Sequence, residues 1–182
     1  MRQEVRFAGF GGQGVVKSAL LLTLAAGLYE GKEVAQTQSY GPEARGGACR
    51  SEVVISGQEI DFVKPMSIDF FAVMSQPAMD RYGSGLDLDK CVILADTTLV
   101  RRLPKEAARV YQVEATRLAE DELGASLFAN IIMLGALAAV SGLVSLPALE
   151  KALPGNVPPQ TLETNLKALH RGYKIGSGLI AA

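Results

Sequence analysis

The chain has no block of lysine and arginine, and its 182 residues carry a net charge of −1. That removes the electrostatic footprint of a nucleic-acid binder or of a polybasic membrane anchor. It has no Cys-x-x-Cys: Cys49 and Cys91 stand alone. By the usual ligand spacing the chain does not hold an iron–sulfur cluster by itself. It has one histidine, His170, in a helical tail, read as a surface or packed residue rather than a catalyst. It shows no long apolar leader region; the first residues run into a strand pattern with Glu4 early. A cytoplasmic protein with reduced thiols is the expectation. No stretch reads as a membrane span either. The most apolar segment, residues 126–141, is interrupted by Asn130, Gly135 and Ser141. There is no internal repeat and no low-complexity tract.

What is present is a composition able to build a core: 48% hydrophobic and 20% charged residues. The length suits a single domain over residues 1–182. The chain is organised around Gly9-Phe10-Gly11-Gly12-Gln13-Gly14, which follows the short strand pattern of residues 3–8 and precedes a helical one, residues 12–30. Glycine lets a chain turn sharply off a strand end, and the bare turn offers backbone N–H groups at a helix start, where an anion is favoured. Gly14 is expected to let that helix pack closely on the sheet.

Gly9-x-Gly11-x-x-Gly14 has the spacing of a dinucleotide fingerprint. The acidic residue required after the second strand is missing, because that region reads Val34-Ala35-Gln36-Thr37-Gln38-Ser39. Lys17-Ser18 comes two residues too late for a phosphate-binding P-loop. An ordinary NAD or ATP site is therefore not expected, and a tight turn with no ligand stays open beside a binding role.

Residues 33–38 read as the second strand, forming with the first strand and its helix a right-handed βαβ unit of parallel strands. Ser39-Tyr40-Gly41-Pro42-Glu43-Ala44-Arg45-Gly46-Gly47 follows as a second glycine-rich loop. In a parallel sheet both loops leave from the same edge, the one where open α/β sheets bind ligands. Residues 50–56 are a strand, with Glu59 to Phe62 pairing back as a short hairpin. Ile68 to Met74 and Cys91 to Ala95 are buried strands, with a short helix from Pro77 between them. Asp96 is read as a turn cap rather than a site acid. A last strand spans Arg109 to Val113. The rest is helical: 115–123, a helix through Ser141 capped by Ser126, 146–153 and 160–175, with Glu163 and Lys167 as an i,i+4 pair. Asn130, inside the apolar helix, must find hydrogen bonds if buried.

Gly9 to Val15 together with Ser39 to Gly47 resembles the gamma subunit of 2-oxoacid:ferredoxin oxidoreductases, and the likeness extends to Asn130 and the terminal helix from Asn165 to Tyr173. The run Gln38 to Gly47, followed by Arg50-Ser51-Glu52, is most similar to the 2-oxoglutarate branch. The resemblance implies a Rossmann-like, three-layer α/β/α domain of gamma (pyruvate/ketoisovalerate oxidoreductase catalytic-like) type. Its sheet would be mainly parallel, with a mixed one left open, and its C-terminal third helical. It implies a subunit, inactive alone, of a complex that decarboxylates a 2-oxoacid to an acyl-CoA (succinyl-CoA from 2-oxoglutarate) and passes electrons to ferredoxin. Thiamine diphosphate with Mg and the 4Fe–4S clusters would sit on alpha and beta catalytic subunits and a ferredoxin-type subunit. No catalytic and no metal-binding residue is expected here. The residues expected to shape the coenzyme A side are Gly11, Gly12, Gln13, Gly14, Tyr40, Gly41, Glu43, Arg45, Gly46 and Gly47. Two other readings stand beside it: a free-standing nucleotide- or CoA-binding module, and an NAD(P)H-using reductase.

Overall fold

The computed structural model describes residues 1–39 and 47–181. In chain order the elements are β1 (Arg2–Phe10), α1 (Val15–Leu24) with a π-helical turn Ala25–Tyr29, β2 (Glu33–Gln38), β3 (Ala48–Ser56), β4 (Phe70–Val73), α2 (Gln76–Tyr82), β5 (Val92–Asp96) and β6 (Arg109–Val113). Then come α3 (Ala115–Leu123), a 3-10 turn Ser126–Phe128, α4 (Ala129–Ser141), α5 (Leu146–Ala152), a second 3-10 turn Pro159–Thr161 and α6 (Leu162–Ala181). The strands form one sheet in the order β2-β3-β1-β4-β5-β6. β1, β4, β5 and β6 are parallel, and β3 runs antiparallel to both β1 and β2. The expected α/β architecture with helices on both faces is present, and the sheet is mixed.

Alternation along the strands sorts the core into two layers. Val5, Phe7, Val53 and Ile55 face a thick layer that includes α1 and α3 to α6. Ala8, Phe71, Val73 and Ile93 face the other side, where α2 packs through Ala78, Met79 and Tyr82. β4 and β5, Phe-Phe-Ala-Val and Val-Ile-Leu-Ala-Asp, are apolar at nearly every position because both faces are covered. β2, at the sheet edge, is half-exposed and polar.

Residues Ala129 to Ala138 of α4 are all buried, since α1, α3 and α6 pack around them. A Cβ built on Gly172 of α6 would run into the carbonyl oxygen of Ile132, so the two helices cross with their backbones in contact. Asp96 is fully buried and accepts from the Thr116 amide (3.1 Å), the Thr116 hydroxyl (2.5 Å) and the Thr98 amide (3.1 Å). It ties the end of β5 to the first turn of α3, the turn-capping role expected of it. His170 is exposed and pairs with Glu150, and Lys167 meets Glu163 at 2.7 Å.

Four expectations are corrected. The first helix begins at Val15, not at residue 12, because Gly14 sits at φ +77° and the helical angles start after it. β1 and β2 do run in the same direction, but β3 lies between them, so they are not hydrogen-bonded neighbours. No hairpin forms at Glu59 to Phe62: residues 57–69 contain no strand until Phe70 and are held instead by Glu4, whose carboxylate accepts from the Met66 (2.7 Å) and Ser67 (2.6 Å) amides. Ser126 caps nothing through its side chain; it opens a 3-10 turn, and α4 starts at Ala129.

Candidate functional site

β1 ends where the sheet changes direction. From β1 the chain passes through α1 on one face to β2, whereas from β4 it passes through α2 on the other face to β5. In open α/β sheets a crevice forms at such a point, outside the carboxyl ends of the strands. The glycine turn sits there.

The turn is shaped by its own side chain. Gln13 folds back so that its Oε1 accepts from the Phe10 amide (2.6 Å), and its Nε2 donates to the Met74 carbonyl at the end of β4 (3.1 Å). An ideal Cβ on Gly9 would lie 2.5 Å from that Oε1, so a side chain there would push Gln13 out of its place. Gln13 thus bridges the ends of β1 and β4 and occupies the crevice itself. Two turn amides are also engaged internally: Gly11 donates to the Gly47 carbonyl and Gln13 to the Phe10 carbonyl, each at 3.1 Å.

The Gly11–Gly47 bond brings the first glycine turn against Gly47, the last residue of the second glycine-rich stretch, at one sheet edge. The register explains it. Gly9 pairs with Cys49 and Gln38 with Ser51, so the ends of β1 and β2 both flank the start of β3. Of the expected site residues, Gly11, Gly12, Gln13, Gly14 and Gly47 converge here. Tyr40, Gly41, Glu43, Arg45 and Gly46 lie outside the described residues.

Gly14 plays a different part from the one expected. Its Cβ would stand 2.5 Å from the Asn130 amide nitrogen, so the close approach is to α4, not to the sheet. Asn130 is buried, and its Nδ2 donates to the Gly14 carbonyl (3.2 Å), while its own carbonyl accepts from the Ser18 hydroxyl (3.2 Å). The buried asparagine finds its partners at the mouth of α1 and fixes where that helix begins.

On the α1 side the turn borders a cleft of about 380 Å³ lined by Gly12, Gly14, Val15, Val16, Lys17, Leu20 and Cys49. Among the described residues the cleft is apolar apart from Lys17, and no aromatic ring lines it. Burial pushes the Cys49 thiol up. Cys91 sits in the opposite core layer, its thiol raised to about 12 by burial and by the nearby Asp69 carboxylate. The two sulfurs therefore lie on opposite faces of the sheet. Among the described residues no cluster of three metal-ligating side chains occurs, and no helix is long and apolar enough to cross a membrane.

One feature escaped sequence reasoning: a second groove, on the α2 side of the sheet, lined in part by Arg6, Arg50, Glu52 and Lys64. Its signal was available. Arg6, Arg50 and Glu52 occupy even positions in strands whose odd positions face the thick helical layer, and period-two alternation puts them on one face.

Residues 4–175 fit the family described as pyruvate ferredoxin/flavodoxin oxidoreductase. The chain is 44% identical to 2-oxoglutarate synthase subunit KorC of Methanocaldococcus jannaschii, over 98% of this chain and 96% of the relative. A solved structure, the gamma subunit of a keto/oxoacid ferredoxin oxidoreductase from Geobacter sulfurreducens, superposes with a TM-score of 0.88 at 37% identity and covers 98% of each chain. The same fold recurs in 32% of a 2-oxoglutarate:ferredoxin oxidoreductase chain from Magnetococcus marinus, at 22% identity and a TM-score of 0.85.

Proposed function

We infer that this chain, which belongs to the pyruvate ferredoxin/flavodoxin oxidoreductase family, serves as the gamma subunit of a 2-oxoglutarate:ferredoxin oxidoreductase. The observation that carries the inference is the match along nearly the whole length of subunits of 2-oxoglutarate synthase, at 44% identity in one archaeal relative. In this reading the complex oxidatively decarboxylates 2-oxoglutarate, conjugates the product to coenzyme A as succinyl-CoA, and delivers electrons to ferredoxin in the cytoplasm. Thiamine diphosphate with its Mg²⁺ and the 4Fe–4S clusters reside on the alpha, beta and ferredoxin-type subunits. The two buried thiols of this chain, on opposite sides of the sheet, offer no converging ligand set for a cluster.

The chain's own contribution is at the glycine edge. The two glycine-rich segments, joined by Gly11 and Gly47, form a surface on which the coenzyme A side of the active site and the catalytic subunits meet. The cleft beside the turn supports this assignment: among the described residues, an apolar wall with one lysine suits a thin, flexible arm carrying an anionic group. A free-standing dinucleotide module is disfavoured by Gln13, which bridges the crevice where the pyrophosphate would sit.

Co-expression with the genes for the catalytic subunits tests the reading. The chain is expected to elute with them on gel filtration at a stoichiometric ratio, and to show no saturable change in NADH or NADPH fluorescence. A monomer that captures no catalytic subunit, or one that binds NADH tightly, overturns it.

A further inference from the structure

The α2 side of the sheet carries a surface that the glycine edge does not use. The register sets Thr37, Glu52 and Arg6 in one row across β2, β3 and β1, with Arg50 one pair further along opposite Ala8. α2 reaches only the near side of this row, where the Tyr82 hydroxyl donates to the Ala48 carbonyl (2.9 Å) and the Arg50 guanidinium lies 5.1 Å from the Tyr82 ring centroid. Beyond it lies a groove of about 390 Å³, closed on its far side by Lys64 and Pro65.

Among the described residues the charges in the groove do not balance. One carboxylate, Glu52, faces three cations, Arg6, Arg50 and Lys64. Glu52 Oε1 accepts from Arg6 Nε at 2.7 Å and stands 3.7 Å from Arg50 Nε. Arg6 also donates to the Tyr82 carbonyl (2.9 Å), so it is held in place. The Lys64 ammonium has no carboxylate partner among the described residues. The nearby Glu4 does not supply one, because it is engaged by the Arg2 guanidinium (2.7 Å) and by the Met66 and Ser67 amides. Among the described residues the groove is thus a cationic slot in which Arg6 is held and Lys64 is exposed.

The chain on either side of Lys64 exposes Phe62 (52%), Val63 (51%) and Met66 (71%). These side chains sit on a backbone that is tied down, since Arg2 donates to the Lys64 carbonyl (3.0 Å) and Glu4 receives the two following amides. An exposed apolar cluster bordered by charge is the anatomy of a protein interface. A small anion would use the groove and leave the apolar cluster bare.

We propose that this face docks an acidic segment of a partner subunit, whose carboxylates enter the groove toward Lys64 and Arg50 while an apolar side chain covers Phe62 and Met66. The proposal rests on the subunit reading above and adds to it the face used and the chemistry of the partner.

The test is amine footprinting of the purified complex. Lys64 is acetylated with a water-soluble reagent in the free chain and in the complex, and the complex is separately treated with a carbodiimide that joins amines to touching carboxylates. The expected result is protection of Lys64 in the complex and an amide cross-link from Lys64 to an Asp or Glu of a partner subunit. Lys64→Glu, at an exposed position, is expected to leave the melting temperature unchanged and to weaken assembly at least about tenfold by setting like charges against each other. The double change Phe62→Ser with Met66→Ser weakens assembly without altering its salt dependence. If the wild-type complex forms but Lys64 stays as reactive as in the free chain and Lys64→Glu assembles normally, the docking face is wrong while the subunit reading stands. If the wild-type chain captures no catalytic subunit, both fall. Protection of Lys64 by inorganic phosphate in the free chain, with none from the partner, would make the groove a small-anion site and overturn the proposal.

Discussion

The amide of Gly11 donates to the carbonyl of Gly47 at 3.1 Å. This backbone bond joins the first glycine turn to Gly47, 36 residues further on in sequence, at the sheet edge where β1 stops and β3 starts. Neither partner uses a side chain, so the contact depends on strand register rather than on residue chemistry.

Gly14 is held by two independent constraints, a φ of +77° and the Asn130 side chain 2.5 Å from its missing Cβ. Gly14→Ala is expected to lower stability by about 1–3 kcal/mol. Asn130→Ala relieves the clash but not the backbone strain, and it removes the hydrogen bond to the Gly14 carbonyl, so Gly14→Ala should cost less in the Asn130→Ala background than in wild type. Urea titrations of the three variants measure this; a Gly14→Ala midpoint equal to wild type would refute it.

Gln13 satisfies the Phe10 amide with one end and the Met74 carbonyl with the other. Gln13→Ala leaves the Phe10 donor without its partner and should cost about 1–3 kcal/mol. Gln13→Glu keeps the shape but turns a donor into an acceptor facing Met74. Folding then favours the protonated acid and raises its pKa. The added stability is full below the unfolded carboxyl pKa and is lost as pH rises through the folded one. Thermal melts from pH 4 to 8 should show Gln13→Glu approaching wild type only at the acidic end.

Much of this was legible in the sequence because it rests on local rules. The glycine turn after an alternating strand, the apolar runs of β4 and β5, and the Glu163–Lys167 pair all report on neighbours within a few residues. What was not legible depends on strand order. β3 follows β2 in the sequence, and nothing in Ala48–Ser56 itself says that it inserts between β2 and β1. For the same reason the sequence alone sets Gly14 against the sheet, whereas its neighbour is Asn130, distant in sequence and brought near only by the packing of α4 on α1. The hairpin expected at Glu59 to Phe62 failed because Glu4, far upstream, claims the backbone amides just beyond it.

Cys91 is fully buried in the α2-side layer, and its thiol is pushed up to about 12 by burial and by Asp69. A raised folded pKa means that this contribution to stability is intact below the unfolded thiol pKa of about 8.5 and declines as pH climbs above it. Wild type should therefore lose stability between pH 8 and 11 more steeply than Cys91→Ala, although the variant starts lower because of its cavity. Parallel urea midpoints across that range decide the point, and identical slopes would contradict it. In the native protein Cys91 should also resist alkylation at pH 8.

Arg45 stands two residues before Gly47 in the sequence, outside the described residues. Arginine's fork of donors suits phosphate or carboxylate in a way lysine does not reproduce. Arg45→Lys in the assembled complex should raise the KM for coenzyme A if the side chain serves the ligand, or weaken co-purification if it serves the interface. Unchanged kinetics and unchanged assembly would show that it serves neither.

The most direct test of the central claim is the initial rate of ferredoxin reduction by the catalytic and ferredoxin-type subunits, purified with and without this chain, given 2-oxoglutarate and coenzyme A. With the chain present the rate should depend on both substrates and exceed the rate with pyruvate; without it, CoA-dependent turnover should collapse. An equal rate in the absence of the chain, or a preference for pyruvate in its presence, would contradict the account.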